Sequence, residues 1–295
     1  MKSTGGIDPT FGLAGVSCTR RTPQATAMVR KKVVVSMLPH PKWEIESSKW
    51  STRAWVYQEG LLSRRRLIFT DHQVYYECAS MHCCEAVDSP LDILHGTDHW
   101  NNGTRKFSQW NRPGIFPANI GGQYRSDIWK RIEEYSCRSL TYDPDVLNAL
   151  TGIFRVYEIS NFRPIRQYWG ISVYTLRPFE HSELEKFATG LCWDLDSPGK
   201  RRKEFPSWSW AGWQGMVRHP VTDDLKNVYD IKIWVEMKDG ALMEWKQFFH
   251  STEMAKHHSQ LSRYIQMEGW VTQIRFRYFQ RGFPDEPEMK QGKNG

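Results

Sequence analysis

One short stretch carries the residues best suited to chemistry: STRAWVYQEGLLSRRRLIFTDHQVYYEC, at positions 51–78. A helix through its first part would place four side chains on one face, at helical spacing: Trp55, Gln58, Glu59 and Leu62. That face is apolar at its ends and polar in the middle. One interpretation is that Glu59 is a carboxylate aimed into a pocket, with Gln58 orienting a ligand or a neighbouring residue. Glu59 is therefore the candidate catalytic residue.

The alternative interpretation, which we favour, makes Glu59 structural. A buried Gln–Glu pair costs free energy unless it is hydrogen-bonded, and Arg53 or one of the cations at 64–66 could neutralise the carboxylate. Such an ion pair would fix the helix to the strands that follow it, and would specify packing rather than chemistry. Arg53 could also donate to backbone carbonyls, and Ser63 could end the helix. We predict a structural network of six residues: Arg53, Trp55, Gln58, Glu59, Ser63 and Arg64.

The elements that must position these side chains follow from spacing and turn chemistry. Ser51 or Thr52 is a suitable N-cap for a helix over about 53–62. Arg66–Thr70 and Gln73–Glu77 are rich in β-branched and aromatic residues, and a short polar turn separates them. This pattern predicts a β-hairpin directly after the helix.

The rest of the chain mixes predicted helices and strands. Helical patterns begin at Asp127, at Asp143 (which we expect to cap its helix) and near residue 180. Strand-like runs lie at 32–38, 228–237 and 264–279. Strand pairs and helices without βαβ alternation predict an α+β fold. We expect three regions: 1–85, a loop-rich linker at 86–122, and a helical and β-rich region at 123–295.

The composition is that of a globular chain: 295 residues, 40% hydrophobic, with 14 Trp. The net charge of +7 includes cationic clusters such as Arg30–Lys32 and Arg64–Arg66. Clusters of this kind can bind nucleic acid or anionic surfaces. Because no signature of a nucleic-acid module accompanies them, we expect a solvated face. The sequence also lacks an apolar run long enough to span a membrane and a secretory signal.

Histidine and cysteine cluster in one place: His72, Cys78, His82, Cys83 and Cys84. The spacing fits no zinc finger or zinc ribbon, and adjacent cysteines on an extended segment point to opposite sides. We therefore predict no metal and no cofactor. The six cysteines form no regular framework, which favours a reduced, cytoplasmic protein over a disulfide scaffold.

Three tryptophans crowd one short tract, FPSWSWAGWQ at 205–214. We expect Trp208, Trp210 and Trp213 to fill adjacent pockets of the core, because aromatic side chains bury large areas around one polar atom. A stacking platform for bases or sugars is the alternative.

Residues 53–78 resemble the last signature block of the fungal heterokaryon incompatibility (HET) domain, a family that triggers programmed cell death when genetically unlike fungal cells fuse. The resemblance rests on Arg53, Trp55, Gln58, Glu59, Leu62, Ser63, Arg64, Leu67, Phe69, Glu77 and Cys78. Later segments resemble the region that commonly follows HET domains: 129–154, Tyr168-Trp-Gly170, Gly190-Leu-Cys-Trp193 and 205–213. The front of HET domains is thought to resemble the TIR fold, so residues 1–85 would be the C-terminal part of an α/β domain.

The resemblance implies a cytoplasmic HET-type protein that acts in non-self recognition and programmed cell death. Its partners would be other proteins of the incompatibility system, with a homo-oligomer as an alternative and without nucleic acid or a transmembrane segment. The earlier family blocks are not found, so we expect an N-terminally truncated HET domain. Two alternatives stay open: a TIR-like NAD glycohydrolase that uses Glu59 as its acid/base or ribose-binding carboxylate, and an inactive truncated gene product. We favour a protein that is not an enzyme.

Overall fold

A computed structural model describes residues 23–36, 38–78, 81–87, 115–116, 127–159, 164–174, 182–219 and 231–269. It consists of short helices and small antiparallel sheets, which confirms the α+β prediction. The helices are α1 (Pro41–Glu46), α2 (Ala54–Leu62), α3 (Asp127–Ser136), α4 (Thr151–Glu158), α5 (Glu183–Gly190) and α6 (Trp245–His250). The strands are β1 (Thr26–Val29), β2 (Lys32–Val35), β3 (Arg65–Phe69), β4 (Val74–Cys78), β5 (His82–Cys84), β6 (Ile165–Tyr168), β7 (Ile171–Tyr174), β8 (Asp194–Leu195), β9 (Lys200–Arg201), β10 (Trp213–Gln214), β11 (Val217–Arg218), β12 (Lys232–Glu236), β13 (Leu242–Glu244) and β14 (Ile265–Glu268).

The sheets are local. Three-stranded sheets have the orders β3-β4-β5 and β13-β12-β14, and two-stranded ribbons join β1 to β2 and β6 to β7. Strands β8 and β9 pair instead with β11 and β10, so the tryptophan-rich tract is folded back against residues 194–201. Every ladder within the described residues is antiparallel. Antiparallel pairing needs no crossover helices, which agrees with the absence of βαβ alternation in the sequence.

A single cluster of buried side chains runs through the described residues and includes residues from α2 to α6. Helix α2 contributes Ala54, Tyr57 and Leu61 to the same cluster as α3, α4 and the strands after residue 164. The proposed division into three regions stays a prediction. Most of the expected linker at 86–122 lies outside the described residues.

Helix α2 confirms the predicted helix, but its cap and its buried face differ from the prediction. Arg53 is the N-cap residue and makes no side-chain capping bond, so neither Ser51 nor Thr52 caps the helix. The buried residues are Ala54, Val56, Tyr57, Gly60 and Leu61. The sequence AWVYQEGLL is apolar on more than one side, and the line Ala54, Tyr57, Leu61 reaches the core. The predicted face with Gln58 and Glu59 at its middle therefore lies at the edge of the core.

The expected helix after residue 143 is divided. Residues Asp143–Val146 and Asn148–Leu150 form 3-10 turns, and the α-helix begins only at Thr151. The prediction that Asp143 caps a helix is wrong, because its Oδ1 accepts a hydrogen bond from Nε of Arg202 at 2.9 Å. Helix α5 fulfils the prediction made for residues 180–190, and Ser182 and Glu185 form a reciprocal capping box at its start.

Two further regions test the strand predictions. The run at 32–38 becomes β2, and its partner β1 was not expected from the sequence. The run at 228–237 contains β12 and the run at 264–279 contains β14, but residues 228–230 and those after Gly269 lie outside the described residues. In the part of the chain that the structure describes, no helix is long and apolar enough to cross a membrane.

Candidate functional site

Residues 53–78 fold into one unit, called here the helix–hairpin block. Ser63 ends α2: its backbone N–H and its hydroxyl both donate to the carbonyl of Glu59, at 3.1 and 2.7 Å. Arg64 then connects directly to β3, and the tight turn at 70–73 leads into β4. The register pairs Arg66 with Glu77 across the two strands. Directly opposed residues on one face of a sheet meet, so this register places a cation against a carboxylate.

Arg66 and Glu77 form a shielded ion pair. Nη1 of Arg66 lies 3.7 Å from Oε1 of Glu77, and the two side chains are only 10% and 5% exposed. Arg66 also closes the end of α2, because it donates to the carbonyls of Gly60 and Leu61. Burial lowers the pKa of Arg66, and the charge of Glu77 opposes that shift. The pair thus connects the last turn of the helix to the hairpin.

Besides this ion pair, Glu77 accepts three hydrogen bonds. The hydroxyl of Tyr75 and the backbone N–H of Ile115 both donate to Oε2 at 2.8 Å, and the N–H of Phe116 donates to Oε1 at 3.2 Å. Burial raises the pKa of Tyr75, and the neighbouring carboxylate of Glu77 raises it further. The lone pairs of this carboxylate are well used, which is what a buried charge requires.

The ring of Phe116 explains the glycine inside α2. The guanidinium carbon of Arg66 lies 4.5 Å from the centre of the Phe116 ring, a cation–π arrangement. A Cβ at Gly60 would lie only 2.7 Å from Cε1 of that ring. Gly60 therefore makes room for Phe116, and the segment at 115–116 is bound to the block by backbone, charge and ring contacts together.

The block is also attached to the residues downstream. Oε1 of Gln58 accepts from the backbone N–H of Gly152 at 2.5 Å, and the indole of Trp55 donates to Asp145 at 3.4 Å. Gly152 N–H belongs to the first turn of α4, where backbone donors have no partner within the helix. Gln58 thus supplies this donor with a partner from another element.

Tyr57 provides a second attachment, to α3. Its hydroxyl donates to Oε2 of Glu134 at 2.5 Å, and Nη1 of Arg131 lies 2.6 Å from the same oxygen. Burial raises the pKa of Tyr57, and the charge of Glu134 adds to the effect. The guanidinium of Arg138 stacks over the Tyr57 ring at 4.6 Å. Arg138 also donates from Nε to the carbonyl of Glu134 at 3.1 Å, so it joins α2 to α3.

The predicted network of six residues is only partly assembled. Gln58 and Trp55 bond to downstream residues and Ser63 ends the helix, as described above. Arg53, Glu59 and Arg64 are exposed. Among the described residues, Glu59 makes no side-chain hydrogen bond or ion pair. The prediction that Glu59 is buried and paired with Arg53 or a cation at 64–66 is therefore wrong, because Glu77 is the carboxylate that meets Arg66.

The position of Glu59 also bears on the enzyme alternative. A general acid or base gains its strength in an enclosed site that excludes water, and the Glu59 side chain is open to solvent. One cavity of about 10 Å³ lies beside Tyr135 and Arg202, and another of about 80 Å³ lies beside Lys238 and Phe248. Neither is lined by Glu59. Both are far below the ~300–1,000 Å³ of a typical ligand pocket.

The histidines and cysteines around the hairpin have separate partners and directions. Within the described residues, no group of three His, Cys, Asp or Glu side chains is arranged to hold a metal ion. Strand β5 places Cys83 opposite Tyr76 and Cys84 opposite Tyr75, so the two adjacent cysteines lie on opposite faces of the sheet. His72 bonds to Glu44 instead, with 2.6 Å between Nδ1 and Oε1.

The aromatic tract meets two other segments that the sequence singled out. The indole of Trp210 donates to the carbonyl of Gly170 at 2.8 Å, and the hydroxyl of Ser209 donates to the carbonyl of Trp169. The indole of Trp193 donates to the carbonyl of Trp208 at 3.0 Å. The segments 168–170, 190–193 and 205–213 therefore form one aromatic core.

The core interpretation is confirmed for Trp210, whereas Trp208 packs half-buried against the core and Trp213 is half-buried beside it. Trp210 is 1% exposed, which removes it from any stacking platform. Trp208 stacks on Tyr168 with 5.4 Å between ring centres, and the indoles of Trp208 and Trp213 donate to backbone carbonyls of Arg263 and Ser207. Each indole has a polar partner, as burial of tryptophan requires.

A chain of rings joins this core to the helix–hairpin block. The Tyr57 and Tyr135 ring centres are 6.2 Å apart, and Tyr135 is also 6.2 Å from Trp210 in an edge-to-face arrangement. The Tyr135 hydroxyl donates to the carbonyl of Val146 at 2.6 Å. The two parts of the chain that carry the sequence resemblance are therefore in direct side-chain contact.

Sequence reasoning missed the Arg66–Glu77 pair, although a signal was present. Glu77 was noted only as part of the block, and Arg66 only as one of three arginines. The predicted hairpin, with its turn at 70–73, would already have set Arg66 opposite Glu77.

No protein-family model, curated protein or solved structure matches the chain.

Proposed function

We propose that this chain is a HET-type signalling protein that acts in fungal non-self recognition and programmed cell death. The proposal rests on the sequence resemblance of the helix–hairpin block and of the segments between 129 and 213. The observation that carries it is their packing: the separate segments with this resemblance contact one another through Gln58–Gly152, Tyr57–Glu134 and the ring series to Trp210. A chance match of scattered motifs would not require such contacts.

In this proposal, the block divides into an inner structural side and an outer recognition side. Arg66 and Glu77 hold the block together from within. Arg53, Glu59 and Arg64 are exposed, and a charged, solvated face of this kind suits reversible contact with another protein. We propose that this outer side binds a second protein of the incompatibility system, and that residues up to 85 belong to a TIR-like α/β HET fold. The latter point is fold analogy, which carries no reaction with it.

Inducible expression of the chain in a filamentous fungus tests the proposal. The native chain, a Glu59→Ala/Arg64→Ala variant and a Lys232→Ala/Lys246→Ala control would be compared for growth arrest at equal protein level. We expect arrest from the native chain and the control, and loss of arrest from the block variant, because only that variant changes the outer side. A folded native chain that causes no arrest would count against the proposal.

A further inference from the structure

The ribbon of β1 and β2 exposes apolar side chains on both of its faces. Every residue of the two strands is exposed, including Met28 at 70% and Val33 at 63%. The register pairs Met28 with Val33 on one face and Ala27 with Val34 on the other. An isolated two-stranded ribbon is marginally stable in water, and exposed apolar surface of this kind marks an interaction site.

The tip of the ribbon concentrates positive charge. Arg30 and Lys31 form the turn with φ of 46° and 64°, and Lys32 follows at the start of β2. Two consecutive residues in the left-handed region match the turn that fits the twist of a hairpin, although such turns prefer Asn and Gly. Residues 23–36 contain no acidic side chain. Among the described residues, these three cations form no ion pair.

The base of the ribbon is anchored. Nε2 of Gln24 donates to the carbonyls of Ser36 and Ala86, both at 2.9 Å, and the N–H of Ser36 donates to the carbonyl of Ala25 at 2.7 Å. Ala86 follows the three-stranded sheet of the block. The ribbon is therefore held at one end, and the cationic tip lies at the other.

We propose that this ribbon binds an anionic membrane surface. A protein or a second copy of the chain would cover one face or one edge of the ribbon, whereas the boundary between headgroups and acyl chains can surround both apolar faces. Cations near an anionic leaflet are attracted to it, and apolar side chains add the free energy of their burial. Within the described residues the ribbon has only two strands, so the outer edges of β1 and β2 have no neighbouring strand, and the ribbon lies in the hydrated interface rather than in the hydrocarbon.

Vesicle flotation of the full chain tests this inference without reference to the proposed function. The vesicles are phosphatidylcholine alone and phosphatidylcholine with phosphatidylserine. We expect binding only to the anionic vesicles and a loss that increases with salt concentration. The tip variant Arg30→Ser/Lys31→Ser/Lys32→Thr is expected to bind about a hundredfold less, because three cations at the surface are removed. The face variant Met28→Thr/Val33→Thr is expected to bind about tenfold less.

A control variant removes the same charge elsewhere: Lys200→Ser/Lys203→Ser/Lys246→Ser, all at exposed positions. It is expected to bind nearly as well as the native chain.

Equal loss from the control and tip variants would overturn the proposal, and so would absent binding or equal binding to neutral vesicles. The chain could instead dimerise without lipid, and the face variant could abolish that dimer. This result would overturn the proposal and show that the ribbon binds a second copy of the chain. Binding of single-stranded RNA with the same tip dependence, without vesicle binding, would also overturn it. Unchanged melting of each variant shows that folding is preserved.

Discussion

Arg66 and Glu77 are directly opposed on neighbouring strands, yet the closest distance between their charged groups is 3.7 Å, longer than a hydrogen bond. Each is held away from the other by additional partners. Arg66 donates to the carbonyls that end α2, and Glu77 accepts from Tyr75 and from two backbone amides at 115–116. The pair is therefore the point at which helix, hairpin and the 115–116 segment meet.

Removal of the Glu77 carboxylate is expected to destabilise the protein strongly. Glu77→Ala leaves Arg66 shielded without its counter-charge and leaves two backbone donors without an acceptor. Loss of one partner of a buried pair costs about 3–5 kcal/mol. Glu77→Gln is expected to cost less, because its amide oxygen still accepts one hydrogen bond. Urea denaturation monitored by tryptophan fluorescence gives both free energies of unfolding.

A double-mutant cycle with Arg66→Met checks that the effect of Glu77→Ala belongs to the pair. We expect the double variant to lose less than the sum of the single variants, since removal of both charges leaves neither uncompensated. Simple additivity would mean that Glu77 acts through Tyr75 and the backbone of 115–116 alone.

The exposed carboxylate of the same block should behave differently. Glu59→Ala is expected to change the free energy of unfolding by less than about 0.5 kcal/mol, because surface substitutions without partners are usually neutral. Arg53→Ala should match it. The same denaturation series measures both, with Glu77→Ala as the sensitive reference. A loss above about 1 kcal/mol from Glu59→Ala would indicate a buried partner and restore the structural interpretation drawn from the sequence.

The sequence predicted elements better than it predicted the orientation of side chains. Helix α2 and the hairpin follow from periodicity and turn chemistry, which are local. The buried face of α2 does not follow from local patterns, because AWVYQEGLL has apolar residues on several sides. The elements that pack against the helix decide which of these residues are buried. Glu59 was therefore placed inwards, although Tyr57 and Leu61 take that position.

Two other differences have the same cause. Asp143 has the sequence context of a helix cap, but its carboxylate accepts a hydrogen bond from a buried arginine 59 positions away, with 2.9 Å between Oδ1 and Arg202 Nε. Strand β1 was missed because its turn, Arg30-Lys31, lacks the Asn or Gly that normally identifies a hairpin. Long-range contacts and unusual turns are absent from single-sequence patterns.

Gly152 is predicted to be intolerant of a side chain. A Cβ there would lie 2.6 Å from Cδ1 of Leu62 and 2.8 Å from Oε1 of Gln58. Gly152→Ala should therefore displace the ends of the Leu62 and Gln58 side chains, weaken the Gln58–Gly152 hydrogen bond and lower the free energy of unfolding by about 1 kcal/mol, although alanine favours helices elsewhere. Thermal unfolding monitored by circular dichroism measures the change.

Arg155→Ala, on the exposed side of the same helix, provides the comparison for Gly152→Ala. It is expected to alter stability by no more than about 0.5 kcal/mol. If Gly152→Ala proved as stable as native protein, the contact between Gln58 and α4 would have to be looser than 2.5 Å.

Acid should weaken the protein through His258. Its half-buried ring lies 5.4 Å from Trp169 and 6.0 Å from Phe205, beside His257. Burial, and then the charge of His257, lowers the pKa of His258 from 6.5 to about 4. The unfolded chain therefore binds a proton before the folded chain does, so the contribution of His258 is fully present above pH 6.5 and is lost as the pH falls towards 4.

Substitution isolates this contribution from the acidic residues that titrate in the same range. His258→Phe keeps an aromatic ring against Trp169 but cannot be protonated, so its melting temperature should fall less than that of the native chain between about pH 7.5 and about pH 4.5. Parallel plots of melting temperature against pH for His258→Phe and the native chain would contradict this prediction. They would show that the imidazole is solvated in the folded state and that its contact with Trp169 does not exclude water.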